Sequence, residues 1–216
     1  MSKLFQHMAD TFRNQPKAHY EVKLYAHDEE MIRLFSFMQF GIQCEEGICS
    51  TELEIHKEKT HFIKEITKVE PKERWDKVWP LLKALMEHLR KSPVFYPGEE
   101  FTEDVYKEFF LDENTRVFVA EENDQIIGVM EANKGGNSFV TNGEDSYNVG
   151  DIFVLEEYRG DKVAQQLLQY VSDTVKKEGA RQLWVEHGTA NPNARGFWNK
   201  YFDSYAYTMI RDIKLC

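Results

Sequence analysis

The chain has 216 residues, room for one domain of about 150 residues and an appendage. Its 27 basic and 37 acidic residues leave a formal net charge of −10, which disfavours nucleic acid and anionic membranes and suits cationic partners. No apolar run is long enough to span a bilayer, no signal-peptide pattern opens the chain, and three cysteines make no disulfide framework.

In chain order, an amphipathic helix is expected around Leu4 to Thr11, a strand at Glu21 to Tyr25, and a helix from Asp28 to Gln39 ending at Phe40-Gly41. Cys44 and Cys49 have no companion His/Cys pair, so no metal set is expected. Phe62 to Val69 reads as a strand. Lys72 to Lys91 reads as a helix with Trp75, Val78, Trp79, Leu82, Leu85, Met86 and Leu89 on one stripe. Pro80 should kink or divide that helix, and Ser92-Pro93 should stop it.

The loop that follows sets Phe95, Tyr96 and Phe101 beside Glu99, Glu100 and Asp104. That mixture suits a cationic, partly apolar amine, and equally an ordinary acidic loop over core aromatics. A short helix near Glu103 to Leu111 comes next. Arg116 to Glu121 and Gln125 to Asn133 then form a hairpin through Glu122-Asn-Asp124. The polar stretch Lys134 to Ser146 carries Gly-Gly and Asn-Gly turn signals, and reads as a hairpin tip or a lid.

Residues 152 to 168 are the most informative. They read as a buried strand, a turn holding Arg159 and Gly160, and a helix from about Asp161 to Glu178 closed by Gly179. A turn of this kind gathers unpaired amides at a helix N-terminus, where the helix dipole also favours an anion. Arg159 adds charge, and Gly160 lets backbone approach a ligand. A second strand, Gln182 to Glu186, completes a βαβ unit, followed by His187-Gly188 and a helix opening near Asn191-Pro192-Asn193. Ligands of open α/β sheets sit at the edge where such strands end.

Here the chain resembles the GCN5-related N-acetyltransferase (GNAT) family. The family's central motif, Arg/Gln-x-x-Gly-x-Gly/Ala, is matched by Arg159-Gly160-Asp161-Lys162-Val163-Ala164 after the run Asp151 to Tyr158. Asn193-Ala194-Arg195-Gly196-Phe197-Trp198 is similar to a second motif, and a last strand at Tyr205 to Asp212 is also expected. The resemblance covers residues 61 to 214. It implies an α/β fold with a central mixed, mostly antiparallel twisted sheet, a splayed parallel pair and flanking helices.

The resemblance further implies acetyl-CoA as co-substrate. Its pyrophosphate would rest on residues 160 to 164, its pantetheine would run along the edge of Phe153, Val154 and Leu155, and Asn193 would help hold the thiol end. The implied reaction is direct transfer to an amine, with a base to take the proton. Asp151 is a base candidate because it alternates with Phe153 toward the cleft; Glu186 and His187 are the others. Each could equally be an exposed carboxylate or a capping histidine. Polyamine-type relatives often carry an acid just before Asp151, where this chain has Gly150.

Two positions depart from the family pattern. Lys162 stands where the family has Gly, so a positive φ there would strain the loop. Trp198 stands where the family often has a Tyr that protonates the leaving thiolate, which indole cannot do. Tyr201, expected one turn further along the same helix, is the substitute, and Trp198 reads as core or pantetheine packing.

Leu4 to Thr11 matches Leu167 to Thr174 at a fixed offset, and the strand and helix after it echo those after residue 182. Residues 1–58 therefore read as a partial GNAT-like half-unit (helix-strand-helix-strand) with a structural or oligomerising role, and 59–216 as the acetyltransferase domain. The expected whole is a cytoplasmic acetyltransferase acting on a small-molecule primary amine, with a homodimer as its candidate assembly. The alternative is a non-catalytic acyl-CoA-binding or assembly protein.

Overall fold

The computed structural model describes residues 2–12, 17–55, 61–96, 102–136, 138 and 140–214. Glu99, Glu100, Phe101 and Cys216 thus lie outside the described residues. The elements are α1 (Ser2–Thr11), β1 (Lys17–Tyr25), α2 (Glu29–Phe37), β2 (Gly41–Ser50), β3 (Phe62–Glu65), α3 (Pro71–Arg90) and α4 (Glu103–Leu111). There follow β4 (Thr115–Glu122), β5 (Gln125–Lys134), β6 (Ser146–Val154), α5 (Val163–Lys177), β7 (Gln182–Gly188), α6 (Pro192–Trp198) and β8 (Asp203–Lys214). The strands hydrogen-bond in the order β1-β8-β2-β7-β6-β5-β4-β3, mostly antiparallel, with β6 and β7 parallel. The chain forms two compact units, residues 48–185 and residues 1–47 with 186–216.

In the unit of residues 48–185, β3, β4, β5 and β6 are successively antiparallel. Asn123 and Asp124 both take positive φ (50° and 63°), the twist that a two-residue hairpin turn needs. Helix α3 starts at Pro71, and Glu70 accepts a hydrogen bond from Glu73 N–H as its cap. Pro80 does not divide it. The proline is exposed, so the carbonyl it leaves unpaired one turn back faces water.

Val78 and Leu82 of α3 are fully buried, each contributing about 1.5–3 kcal/mol by burial. With Tyr106 and Phe110 of α4 they cover Val117, Val119, Val129 and Phe153 of the sheet. α5 packs against β4, β5 and β6 through Val163, Leu167 and Val171. Gly128 on β5 admits its first turn, because a Cβ there would lie 3.1 Å from Val163 Cγ1 and 3.2 Å from Leu167 Cδ1. That close approach fixes where the loop before α5 sits.

In the other unit, β1 lies antiparallel to β8 over nine residue pairs, Lys17↔Lys214 to Tyr25↔Ala206. The core is Tyr20, Phe35, Phe40 and Met209, with Phe5 of α1 set edge-on to Tyr20 and Phe40 at 5.4 and 5.3 Å. The order α1-β1-α2-β2 repeats the order α5-β7-α6-β8. The two capping residues, Asp28 of α2 and Asn191 of α6, stand at the same offset that aligns Leu4 with Leu167.

Candidate functional site

Strands β5 and β6 fall out of register at one point. Met130 pairs with Ile152 and Ala132 with Val149, so Glu131 on β5 faces both Gly150 and Asp151 on β6. This is a β-bulge, which bends a strand and re-aims its side chains. Glu131 is buried, and its two oxygens are both engaged: Asp151 N–H donates to Oε1 at 3.0 Å and Asn133 Nδ2 donates to Oε2 at 2.6 Å. A Cβ on residue 150 would lie 1.7 Å from Glu131 Oε1, so glycine is what makes room for the carboxylate. A carboxylate from the neighbouring strand thus occupies the space where a side chain at position 150 would start.

Asp151 shares its face of the sheet with Phe153, as the alternation predicts, and lies beside the Tyr106 phenol of α4. Burial pushes Asp151 up to about 6, while the nearby Tyr106 phenol opposes the rise by favouring the charged form. Burial, then the charge of Asp151, pushes Glu131 up to about 8. Tyr106 is raised by burial and by the same carboxylate. Near neutrality the two carboxyl groups therefore hold one proton and one negative charge between them. Neither Glu131 nor Tyr106 was singled out from sequence. The signal available was an acid in the otherwise apolar run Ile126 to Ala132.

The parallel register of β6 with β7 covers Ser146↔Gln182, Tyr147↔Leu183 and Asn148↔Trp184. At its end, Asn148 Nδ2 donates to the Trp184 carbonyl at 3.3 Å, so a side chain takes over from the ladder. β6 continues to Val154, held by β5 on one side. Phe153 and Val154 have buried side chains and Leu155 is half-buried, which leaves backbone as what this stretch can offer a ligand.

After β6 a short 3-10 turn, Glu156–Tyr158, leads into the loop. Gly160 has φ +104° and open space around its Cα. Arg159 is tied back: its Nε donates to the Val154 carbonyl at 3.2 Å, and its guanidinium lies 5.4 Å from the Phe153 ring centre. α5 begins at Val163, two residues later than expected, because Lys162 takes the left-handed conformation (φ 61°, ψ 22°) and cannot belong to a right-handed helix. Asp161 N–H instead closes onto the Tyr158 carbonyl at 3.4 Å. The α5 ladder starts with Gln166 N–H to the Lys162 carbonyl at 3.0 Å. Among the described residues, the amides of Val163, Ala164 and Gln165 have no backbone acceptor.

The remaining expected site residues fall in the other unit. Glu186 stands among Glu46, Lys23 and Glu21; lost hydration, then the Glu46 carboxylate, hold it above the usual carboxylate range. His187 is buried, with Nε2 3.8 Å from Glu45 Oε2, too long for a hydrogen bond. Asn193 is exposed near the start of α6, and its N–H donates to Asn191 Oδ1 at 3.2 Å. Trp198 is buried, edge-on to Phe197 and Phe202, in keeping with a packing role. Tyr201 does not continue the helix. The Trp198 carbonyl accepts from both Tyr201 and Phe202 N–H, at 2.9 and 3.0 Å, so the chain reverses there and Tyr201 lies in the turn before β8.

A model of the acetyltransferase (GNAT) family matches residues 82–203, more than half of the chain. The chain belongs to the GNAT family. Several solved structures share the fold. A functionally unknown conserved protein from Staphylococcus epidermidis ATCC 12228 is 14% identical over 97% of this chain and 78% of that one, with a TM-score of 0.62. A GCN5-related N-acetyltransferase from Sphaerobacter thermophilus is 12% identical over 99% and 66%, with a TM-score of 0.58. A GNAT-family acetyltransferase from Colwellia psychrerythraea is 12% identical over 98% and 74%, with a TM-score of 0.57. At such identities the likeness is one of fold. No curated protein matches the chain in sequence.

The chemistry of the GNAT family is acyl transfer, and its members typically bind an acyl-CoA. The loop of this GNAT protein fits a pyrophosphate: unpaired amides at the start of α5, an uncrowded Gly160, and the cation of Lys162 beside them.

Proposed function

We propose that this GNAT protein moves an acetyl group from acetyl-CoA to a small-molecule primary amine by direct transfer, with Asp151 as the base. The observation that carries the reading is the pairing of buried Glu131 on β5 with half-buried Asp151 at the bulge of β6, the strand that leads into the loop before α5. When bound, acetyl-CoA supplies an activated acyl carbon for the amine nitrogen to attack. Residues 160 to 164 hold its pyrophosphate through backbone amides, and the backbone of Phe153 to Leu155 lines its pantetheine. Asn193 at the start of α6 is assigned to the thiol end.

Asp151 is ionised above about pH 6, so at neutral pH it can accept the proton that the amine loses. Glu131 keeps its own proton up to about pH 8, which leaves Asp151 as the single charged acceptor of the pair. The nearby Tyr106 phenol stabilises the charge of Asp151. Glu186 is the second base candidate, carried on an acidic patch that suits a cationic acceptor. Tyr201 is the proposed proton donor to the thiolate, a leaving group with a pKa near ~8.5 that tolerates weak acid help. A cytoplasmic location completes the reading.

One observation favours a second reading, a non-catalytic acyl-CoA-binding or assembly protein: Lys162 is held at φ 61° where the family motif has glycine. The two readings separate on Asp151→Asn. Under the catalytic reading, kcat/KM for an amine falls about 10²–10⁴-fold while the acetyl-CoA Kd from calorimetry is unchanged. Equal turnover in Asp151→Asn and wild type removes Asp151 from the chemistry. Acetyl-CoA binding with no turnover on any amine in a broad screen favours the second reading.

A further inference from the structure

Three carboxylates and one ammonium come together in the unit of residues 1–47 with 186–216. Glu21 and Lys23 lie on one face of β1, Glu46 on β2 and Glu186 on β7, and the charges of the first three all act on Glu186. Lys23 Nζ donates to Glu46 Oε1. Glu46 is only 4% exposed, and its other oxygen, Oε2, is buried with no hydrogen-bond partner among the described residues. A buried charged acceptor without a donor is costly, so Oε2 calls for one. Glu21, Lys23 and Glu186 are exposed, so the rim around Glu46 is made of side chains that can turn outward. With all four groups charged, three negative charges against one positive leave an excess of two.

We propose that Glu46, flanked by Glu186 and Glu21, binds the ammonium head of a small primary alkylamine through Oε2, with Lys23 as the fixed counter-ion on Oε1. Oε2 lacks an N–H donor and the cluster lacks positive charge. A primary ammonium supplies both, as Lys23 already does at the other oxygen. A quaternary ammonium brings charge without a donor. A metal ion does not suit the site, because among the described residues no group of three or more His, Cys, Asp or Glu side chains could hold one. The proposal deepens the assignment of the acidic patch to a cationic acceptor. It rests on that reading for the ligand's role alone, and the site itself is tested without turnover.

Two-dimensional amide NMR of the full chain, titrated with butylammonium chloride to tens of millimolar against equal sodium chloride, tests this. Saturable shifts are expected at residues 21–23, 45–47 and 186, and none with tetramethylammonium. Glu46→Gln still accepts from Lys23 but sets an amide donor in place of Oε2. It is expected to weaken butylammonium binding by about tenfold or more, the loss of one charge-assisted hydrogen bond, without lowering the thermal midpoint. Lys23→Gln removes the competing cation and is expected to tighten binding. A wild type with no saturable shifts overturns the proposal, a proton shared between Glu46 and Glu186 then being what satisfies Oε2. Equal binding by wild type and Glu46→Gln overturns it too, as does tetramethylammonium that binds as butylammonium does. None of these outcomes bears on Asp151→Asn, so this site can fail while acetyl transfer stands.

Discussion

Replacing Glu131 by Gln is expected to stabilise the protein in neutral and alkaline solution. Burial keeps a proton on Glu131 up to about pH 8, against an ordinary value of 4.5 in the unfolded chain. Between those values the folded chain binds more protons than the unfolded one. Its stability is therefore fully present below 4.5 and is lost as pH rises through about 8. At about 1.4 kcal/mol per pH unit, the span bounds the loss at about 5 kcal/mol, of which about 3 kcal/mol has been incurred by pH 7.

Glutamine keeps the shape and has no proton to lose. Its oxygen still accepts from Asp151 N–H, but its amide then faces Asn133 Nδ2, donor against donor. Turning Asn133 over would give up the hydrogen bond from Thr115 Oγ1 at 2.9 Å, so the exchange costs about 1 kcal/mol either way. The balance is a gain of about 2 kcal/mol at pH 7, close to nothing at pH 5, and about 4 kcal/mol at pH 9. Urea unfolding of both proteins at the three pH values measures it. Wild-type and variant stabilities that change in parallel with pH would refute the reasoning, since Glu131 would then titrate alike in the folded and unfolded chain.

Gly150→Ala sets a methyl group against a buried carboxylate with both oxygens engaged, and is expected to cost about 2–4 kcal/mol in the same unfolding assay. Adding Glu131→Ala reopens the space, so the double variant should be more stable than the two single losses imply. Tyr106→Phe removes the phenol dipole that favours ionised Asp151, so Asp151 should rise further above about 6. If Asp151 is the base, the acid limb of kcat/KM moves up by about one pH unit while the rate at pH 8 holds. An acid limb that stays in place would detach Tyr106 from Asp151.

What could be read from the sequence was local. The α3 stripe, the hairpin around Asn123-Asp124, and the strand-turn-helix at Arg159 each lie within one segment, where residue types and spacing carry the pattern. Asp151 was reached the same way, by alternation with Phe153. Glu131 was not, because it meets Asp151 only through an extra residue in β6 that breaks the register, and no pairing register is written in one strand alone. Tyr106 reads as one more residue of the α4 core face until the fold brings β6 beneath it. Pro80 leaves α3 undivided, one of the two outcomes the sequence allowed being thereby ruled out. The end of α6 was misjudged because both Tyr201 and Phe202 N–H turn back onto the Trp198 carbonyl.

The pairing of β1 with β8 has a consequence in time. As the chain is synthesised, β1 is made before β2 to β7, and β8 is made after them. Until Ala206 to Lys214 have left the ribosome, Lys17 to Tyr25 have no antiparallel neighbour and Tyr20 has no Met209 to pack against. β3 to β6 need no such wait, because each pairs with a strand near it in sequence. The unit of residues 48–185 can therefore be assembling on the ribosome while β1 remains an open edge, exposed to wrong partners until β8 is made.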